Sequence, residues 1–157
     1  MMKRLFKNEK GLTLIELLAV VVILGIIAAI AIPSIGGLID NSKKDAHVAN
    51  AQQMVSAAKM AISSDTSLQS STVQYLSLAY LEEKQYLDKV KDPDKGNYKR
   101  GKAESVTEAD ESYVKIQGSK VAGVRLVNDN RGIQITNFLA DNAKLERSEV
   151  KAIADLK

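Results

Sequence analysis

One unbroken apolar run limits what this chain can fold into. Leu12 to Ile32, LTLIELLAVVVILGIIAAIAI, is 21 residues long with one hydroxyl, Thr13, and one charge, Glu16. As a helix rising about 1.5 Å per residue it spans roughly 31 Å, and the core of a bilayer is about 30 Å thick. The run can therefore cross a membrane. Lys3, Arg4, Lys7 and Lys10 precede it against a single Glu9, which by the positive-inside rule puts the amino terminus in the cytoplasm. A plain single-pass anchor fits these facts. So does a cleaved secretory signal, because Ala29-Ile30-Ala31 supplies a small-x-small site after the apolar stretch.

Glu16 suits neither of those readings. A carboxylate in hydrocarbon is disfavoured by at least about 2–3 kcal/mol, and an anchor or a signal has no use for one. It points to a function and to a buried partner of opposite charge. Gly11-Leu12-Thr13-Leu14-Ile15-Glu16, set between a basic leader and the apolar run, resembles the prepilin peptidase site of type IV pilins and pseudopilins. The resemblance covers roughly Lys3 to Ser34, about a fifth of the chain. Leu12 stands where the family commonly has Phe.

The resemblance implies a specific maturation. A prepilin peptidase, which is also the N-methyltransferase, would cut between Gly11 and Leu12 on the cytoplasmic side and methylate the new amine of Leu12. Glu16 would then pair with the Leu12 amine of an adjacent copy in a helical filament and set subunit registry. Further implied partners are a platform protein and a cytoplasmic assembly ATPase. Gly25 and Pro33 would bracket a stretch of helix that loosens in the filament. The residues alone leave Pro33 open between ending the membrane helix and kinking it, since proline removes one helical hydrogen bond and Gly36-Gly37 follow closely.

The net charge of +3 belongs to the leader. The first eleven residues carry all of it, and the rest holds 18 basic and 18 acidic residues. No general affinity for nucleic acid or membrane surfaces follows from the total. The chain has no cysteine and one histidine, His47. Disulfides, thiol chemistry, lipidation on cysteine and His-rich metal sites are excluded. No cofactor, metal or enzymatic activity is expected.

Helical periodicity resumes after the glycines. Val48, Ala51, Val55, Ala58 and Ile62 fall on one stripe with Met54 and Ala61 beside it. The stripe is narrow and alanine-rich, so something packs closely on it. The helix is expected to run to about Ser63, where Ser63 to Ser67 reads as a stop. From Leu12 to Ser63 it would be roughly 75 Å long, too long for a small domain to contain, so half is expected to project. His47 reads as an exposed or contact residue of this segment.

Beyond it, Val73 to Val90 reads as a second, shorter helix broken by Asp92-Pro93-Asp94-Lys95-Gly96. A short helix, a Tyr-Leu pair (Tyr86-Leu87) and an Asp-Pro turn resemble the heads of Gram-positive pilins. Lys99 to Glu111 reads as a charged loop. Three strands follow: Tyr113 to Gln117, Val121 to Val127, and one starting at Ile133, separated by turns at Gly118-Ser119-Lys120 and Asn128 to Gly132. Their short connections require antiparallel pairing, and the meander could cover the helical stripe. A terminal helix is expected from about Asn142.

Three motifs are weak. Gly96 to Ala103 nearly matches a phosphate-binding loop but ends in Ala103 where Ser or Thr would hold magnesium. Asp92-x-Asp94 lacks the further ligands of a calcium loop. Lys95, Lys99, Arg100 and Lys102 around Tyr98 could track a nucleic-acid backbone and stack a base, or form a solvated loop offset by Glu104, Glu108, Asp110 and Glu111.

The fold expected is α+β: one long N-terminal helix, an apolar half and an amphipathic half, packed in a small head on a three-stranded antiparallel sheet with short extra helices. The parts are a leader over residues 1–11, a membrane and filament-core helix over 12–33, a stalk helix over 34–63 and a head over 64–157. The function expected is a structural subunit of a type IV pilus-like filament serving adhesion, motility or DNA uptake. A pseudopilin of a competence or type II secretion system is the alternative. A secreted or anchored soluble domain with an ordinary signal is the remote one. The precursor would be a single-pass membrane protein with its head outside, and the filament would stand on the cell surface.

Overall fold

In the computed structural model, residues 13–102, 111–138 and 144–156 are described. Helix α1 runs without interruption over Leu14–Ser64. Strand β1 (Gln74–Ser77) and helix α2 (Leu78–Glu83) follow. Then come β2 (Tyr113–Gln117), β3 (Lys120–Val127), β4 (Arg131–Ile135) and β5 (Val150–Ala152). Short 3-10 turns occupy Thr66–Gln69, Arg147–Glu149 and Ile153–Asp155. The chain divides into two units, Met1–Ile39 and Asp40–Lys157.

The described part of the first unit is helix. It is long and apolar enough to cross a membrane. Its large side chains are exposed throughout, from Leu14 at 86% and Ile30 at 71% to Leu38 at 69%. A helix is the one open-ended structure that satisfies its own backbone groups without water, so this run can hold its form in lipid. Pro33 lies inside the helix and does not end it. Lacking an N–H, it leaves the Ala29 carbonyl without its i+4 donor.

In the second unit, one face of α1 carries the core. His47, Ala51, Met54, Ala57, Ala58, Ala61 and Ile62 are buried, while Val48 and Val55 are only half-buried. The expected stripe is thus turned slightly around the helix. Its alanines let the sheet approach closely. Ala51, Met54, Ala58 and Ala61 join Leu76, Leu78, Leu81, Val114, Ile116, Val124, Leu126, Ile133 and Val150 in one apolar cluster. The helix ends where Ser63 and Ser64 turn their hydroxyls back onto the Lys59 and Met60 carbonyls, at 2.9 Å each. Such side-chain bonds compete with the helical ladder.

The sheet is an antiparallel meander in the order β1-β2-β3-β4-β5. It has five strands where three were expected, and the two added ones flank the expected three. Val114 pairs with Val124, Val124 with Ile135, and Ile133 with Val150, so the apolar residues of successive strands share a face. The β2–β3 hairpin closes through Gly118 and Ser119, both left-handed at φ 57° and 63°, the two-residue turn that matches strand twist. At Gly123 a Cβ would lie 2.5 Å from the Ile135 carbonyl oxygen, so only glycine fits there.

Two expected helices are corrected. The segment 73–90 opens as strand β1, because Ser77 caps α2 by accepting from the Tyr80 amide at 2.9 Å and so starts the helix at Leu78. The helix then stops early. Gln85 takes a left-handed φ of 60°, the Tyr86 amide donates to the Leu81 carbonyl and the Gln85 amide to the Glu82 carbonyl. This is a Schellman ending built on Gln in place of the usual Gly. The terminal helix is likewise absent over 144–156: Val150–Ala152 pairs with β4, and the Ile153 amide donates to the Asn130 carbonyl. Asn142 lies outside the described residues. So does most of the expected loop, whose ends are pinned by Lys99 donating to the Val127 carbonyl and Ser112 donating to the Lys99 carbonyl.

Gly123→Ala should destabilise the second unit by about 1–3 kcal/mol, since a carbonyl oxygen rather than a flexible side chain must yield. Thermal unfolding of the full chain in detergent, followed by circular dichroism, should show a melting temperature several degrees lower. An unchanged midpoint would contradict the close approach.

Candidate functional site: the helix start and the polar joint at His47

The start of α1 is built by Thr13 and Glu16. The Thr13 carbonyl accepts the first helical bond, from the Leu17 amide at 3.1 Å. Its hydroxyl accepts from the Glu16 amide at 3.3 Å. In return, Glu16 Oε2 accepts from the Thr13 amide at 2.8 Å and from the Thr13 hydroxyl at 2.7 Å. This is a reciprocal capping box. The carboxylate expected to need a partner therefore has one in its own chain. The signature Thr-x-x-Glu before an apolar run is legible in the sequence. Gly11 and Leu12 lie outside the described residues. Gly25 sits within α1 with open space where a Cβ would be.

A second constellation lies in the other unit. His47 is fully buried, so of the two expected readings, exposed or contact residue, it is a contact residue. Its Nε2 is 3.0 Å from Asp94 Oδ2, and its Nδ1 is 2.8 Å from the Tyr98 hydroxyl. Asn50 Nδ2 donates to the same hydroxyl at 2.9 Å and to the Lys91 carbonyl at 3.1 Å. With the proton on Nε2, Tyr98 and His47 each use a donor and an acceptor: Asn50 gives to Tyr98, Tyr98 to His47 and His47 to Asp94.

The carboxylates of Asp92 and Asp94 are buried beside it. Arg131 Nε stands 3.0 Å from Asp94 Oδ2, and Lys43 Nζ 3.4 Å from Asp94 Oδ1. Asn128 donates to both oxygens of Asp92 and to Asp94. Its orientation is fixed because its own oxygen accepts from the Asn130 and Arg131 amides. Two ion pairs flank the joint, Asp40 with Arg131 at 2.7 Å and Asp45 with Arg147.

His47, Asp92 and Asp94 bring three potential ligand atoms within 4.8 Å of one another, a spacing that would suit a cation. The surrounding chemistry does not. Asn128 turns N–H rather than oxygen toward the carboxylates, and Arg131 and Lys43 already supply the positive charge. These residues hold the helix segment 43–50, the loop 91–98 and the turn 128–131 to one another.

The basic loop is taken apart by the same geometry. Tyr98 is buried at 3% exposure, and burial pushes its phenol well above the usual range. Its ring cannot stack on a base, which corrects that expectation. Arg100 pairs with Glu82 at 2.9 Å and donates to the Val90 carbonyl. Lys99 stands 3.9 Å from Asp129. Lys95 and Lys102 are exposed.

Burial raises the Asp94 carboxyl, but hydrogen bonds from His47 and Asn128, the charge of Arg131 and the contact with Lys43 outweigh it and hold it at about 2. A carboxyl lowered in the folded state stabilises the fold above its unfolded value, near 3.8, and that stability is lost as pH falls through the folded value. Acid unfolding of the full chain should therefore steepen between about pH 4 and pH 2. Asp94→Asn should be less stable at pH 7 and respond less across that window. Parallel acid curves for the two proteins would refute the assignment.

The family model described as the prokaryotic N-terminal methylation motif matches residues 6–32. No curated protein and no solved structure gives a significant match. The matched segment holds the Gly11-Leu12 step, the Thr13–Glu16 box and the apolar helix. Residues 6–32 carry the prepilin signature of type IV pilins and pseudopilins.

Proposed function

We propose that the chain is a structural subunit of a type IV pilus-like filament. The observation that carries this is the bare apolar surface from Leu14 to Ile39, joined to the prepilin signature at its start. That surface is exposed among the described residues, so it needs lipid first and other copies afterwards. A plain anchor would need the lipid alone and would use Glu16 only to cap its own helix.

In this reading residues 1–11 are a leader that a prepilin peptidase removes at Gly11-Leu12, and Leu12 receives the methyl group. Residues 12–33 then pass from the membrane into a filament core. Residues 34–63 continue the helix into the head, and 64–157 complete the head outside the cell. Glu16 pairs with the Leu12 amine of a neighbouring copy, with both charges dehydrated. A misregistered neighbour would strand both charges, so the pair acts as a register device more than as a source of net stability. Gly25 and Pro33 are the weak points of the helical ladder, where it can lengthen. A platform protein and an assembly ATPase would drive extraction from the bilayer.

Amino-terminal sequencing and mass spectrometry of the mature protein should find N-methylated Leu12 as the first residue. A mature chain starting at Ile32, as ordinary signal cleavage after Ala31 would give, would overturn the proposal.

Glu16→Ala should insert into the membrane and be cleaved normally, yet yield few filaments by electron microscopy with a label against this chain. Abundant filaments of normal appearance would remove Glu16 from the registry role.

A further inference from the structure

An open groove lies in the second unit at the first turn that α1 contributes to it. Asp40 and Lys44 line it from the helix, Asn130 and Arg131 from the start of β4, and Lys151 and Ala152 from β5. Three cations thus face one carboxylate. That carboxylate is shared, with Arg131 Nη1 2.7 Å from Asp40 Oδ1 and Lys44 Nζ 3.0 Å from Oδ2. Arg131 also meets Asp94 at 3.0 Å, but Asp94 serves His47 and Lys43 as well. Lys151 stands 3.5 Å from Glu149, with both side chains more than a third exposed, and such a pair holds its lysine weakly. The groove therefore keeps an excess of positive charge.

Its place in the chain says which anion meets it. The exposed apolar residues that begin at Leu14 run to Ile39, and Asp40 is next. Helix α1 rises roughly 39 Å between Leu14 and Asp40, and a bilayer with its headgroups is about 40–45 Å thick. A chain inserted by this helix brings Asp40 and Lys44 out among the headgroups of the leaflet on the head side. We propose that the groove holds the phosphate of an anionic lipid while the subunit is in the membrane, with Lys44 and Lys151 as the direct contacts and Arg131 behind them. This rests on the membrane stage of the filament reading and adds a partner to it. The apolar helix ties the groove to a layer of lipid phosphate whose effective concentration a dissolved anion does not match. The lipid fixes the depth of the head before assembly, and extraction into a filament has to give it up.

The chain has no cysteine, so Ala152→Cys gives the full-length protein a single nitroxide label in the groove. The labelled chain is inserted into vesicles of mixed phosphatidylglycerol and phosphatidylcholine, and phosphorus NMR reads the relaxation of each headgroup. Phosphatidylglycerol should relax faster than phosphatidylcholine. Lys44→Gln and Lys151→Gln should each lower that preference about fivefold, the contribution of one lysine at an anionic surface. Lys44→Arg should retain it, and so should Lys59→Gln, which removes an exposed cation further along α1. Equal relaxation of the two lipids, or a preference unmoved by either glutamine variant, overturns the proposal. Loss of the preference on adding inorganic phosphate, with sodium chloride of equal ionic strength as control, shows a site for a dissolved anion and overturns the lipid assignment. A wild-type chain that does not float with the vesicles overturns the membrane stage and the proposal together, whereas one that floats without phosphorus contact overturns the proposal alone.

Discussion

The backbone of α1 must satisfy its own hydrogen bonds, and the rest of the structure depends on that constraint. From Leu14 to Ile39 the apolar side chains of the helix stand exposed among the described residues. In such a segment neither a core nor water secures the peptide groups, so internal hydrogen bonding is the only means of keeping them paired. The two ends of the ladder are where pairing runs out. At the start, Thr13 and Glu16 take up orphan donors with side-chain oxygens. At the finish, Ser63 and Ser64 fold back onto carbonyls, and Asp65 accepts from the Ser67 amide to begin the next turn. Pro33 is the one interior position that lacks a donor.

The same helix meets a different requirement from Asp40 onward. There it contributes a face, and the residues on that face are small. Alanine gives up little rotamer freedom and lets a backbone approach closely, but it offers little apolar area of its own. Met54 and Ile62, with Leu78 and Leu81 of α2 and the valines and isoleucines of β2, β3 and β4, supply the bulk. The meander suits this task because each strand pairs with the next in sequence, and β2, β3 and β4 do so through short turns, so the centre of the apolar face is built from contacts local in sequence.

The long helix and the three central strands were legible in the sequence because their signals are periodic or carry strong turn residues, as at Gly118-Ser119 and Asn128 to Gly132. The flanking elements were not, for local reasons that can be named. Strand β1 runs directly into α2, so an apolar series from Val73 to Val90 looked like one helix; the boundary is a single serine cap at Ser77. The end of α2 is left-handed at Gln85, where no glycine marks it. Strand β5 is three residues long and exists because Val150 finds Ile133, a tertiary pairing with no local signature. The prepilin site was readable because its residues are contiguous. The His47 joint was not: its partners Asp94 and Tyr98 lie 47 and 51 residues from it in sequence, and a lone histidine on a helix says nothing of them.

That joint also resolves an ambiguity in the packing. An alanine-lined helix face is nearly self-similar: Ala51, Ala58 and Ala61, or Ala57 and Ala61, would offer a sheet much the same surface after a slip of one turn. Dispersion and area burial discriminate weakly between such registers. Hydrogen bonds do not share this tolerance. Only one placement of α1 sets His47 between Tyr98 and Asp94, Asn50 on the Tyr98 hydroxyl, and Asp40 on Arg131. A slip of one turn, about 5.4 Å, would take His47 off Asp94 and Tyr98 and Asn50 off the Tyr98 hydroxyl, leaving buried polar groups short of partners, an arrangement less favourable than a loss of alanine contacts. The polar cluster therefore contributes less to net stability than to uniqueness. It fixes one register of helix on sheet where the apolar core alone would permit several.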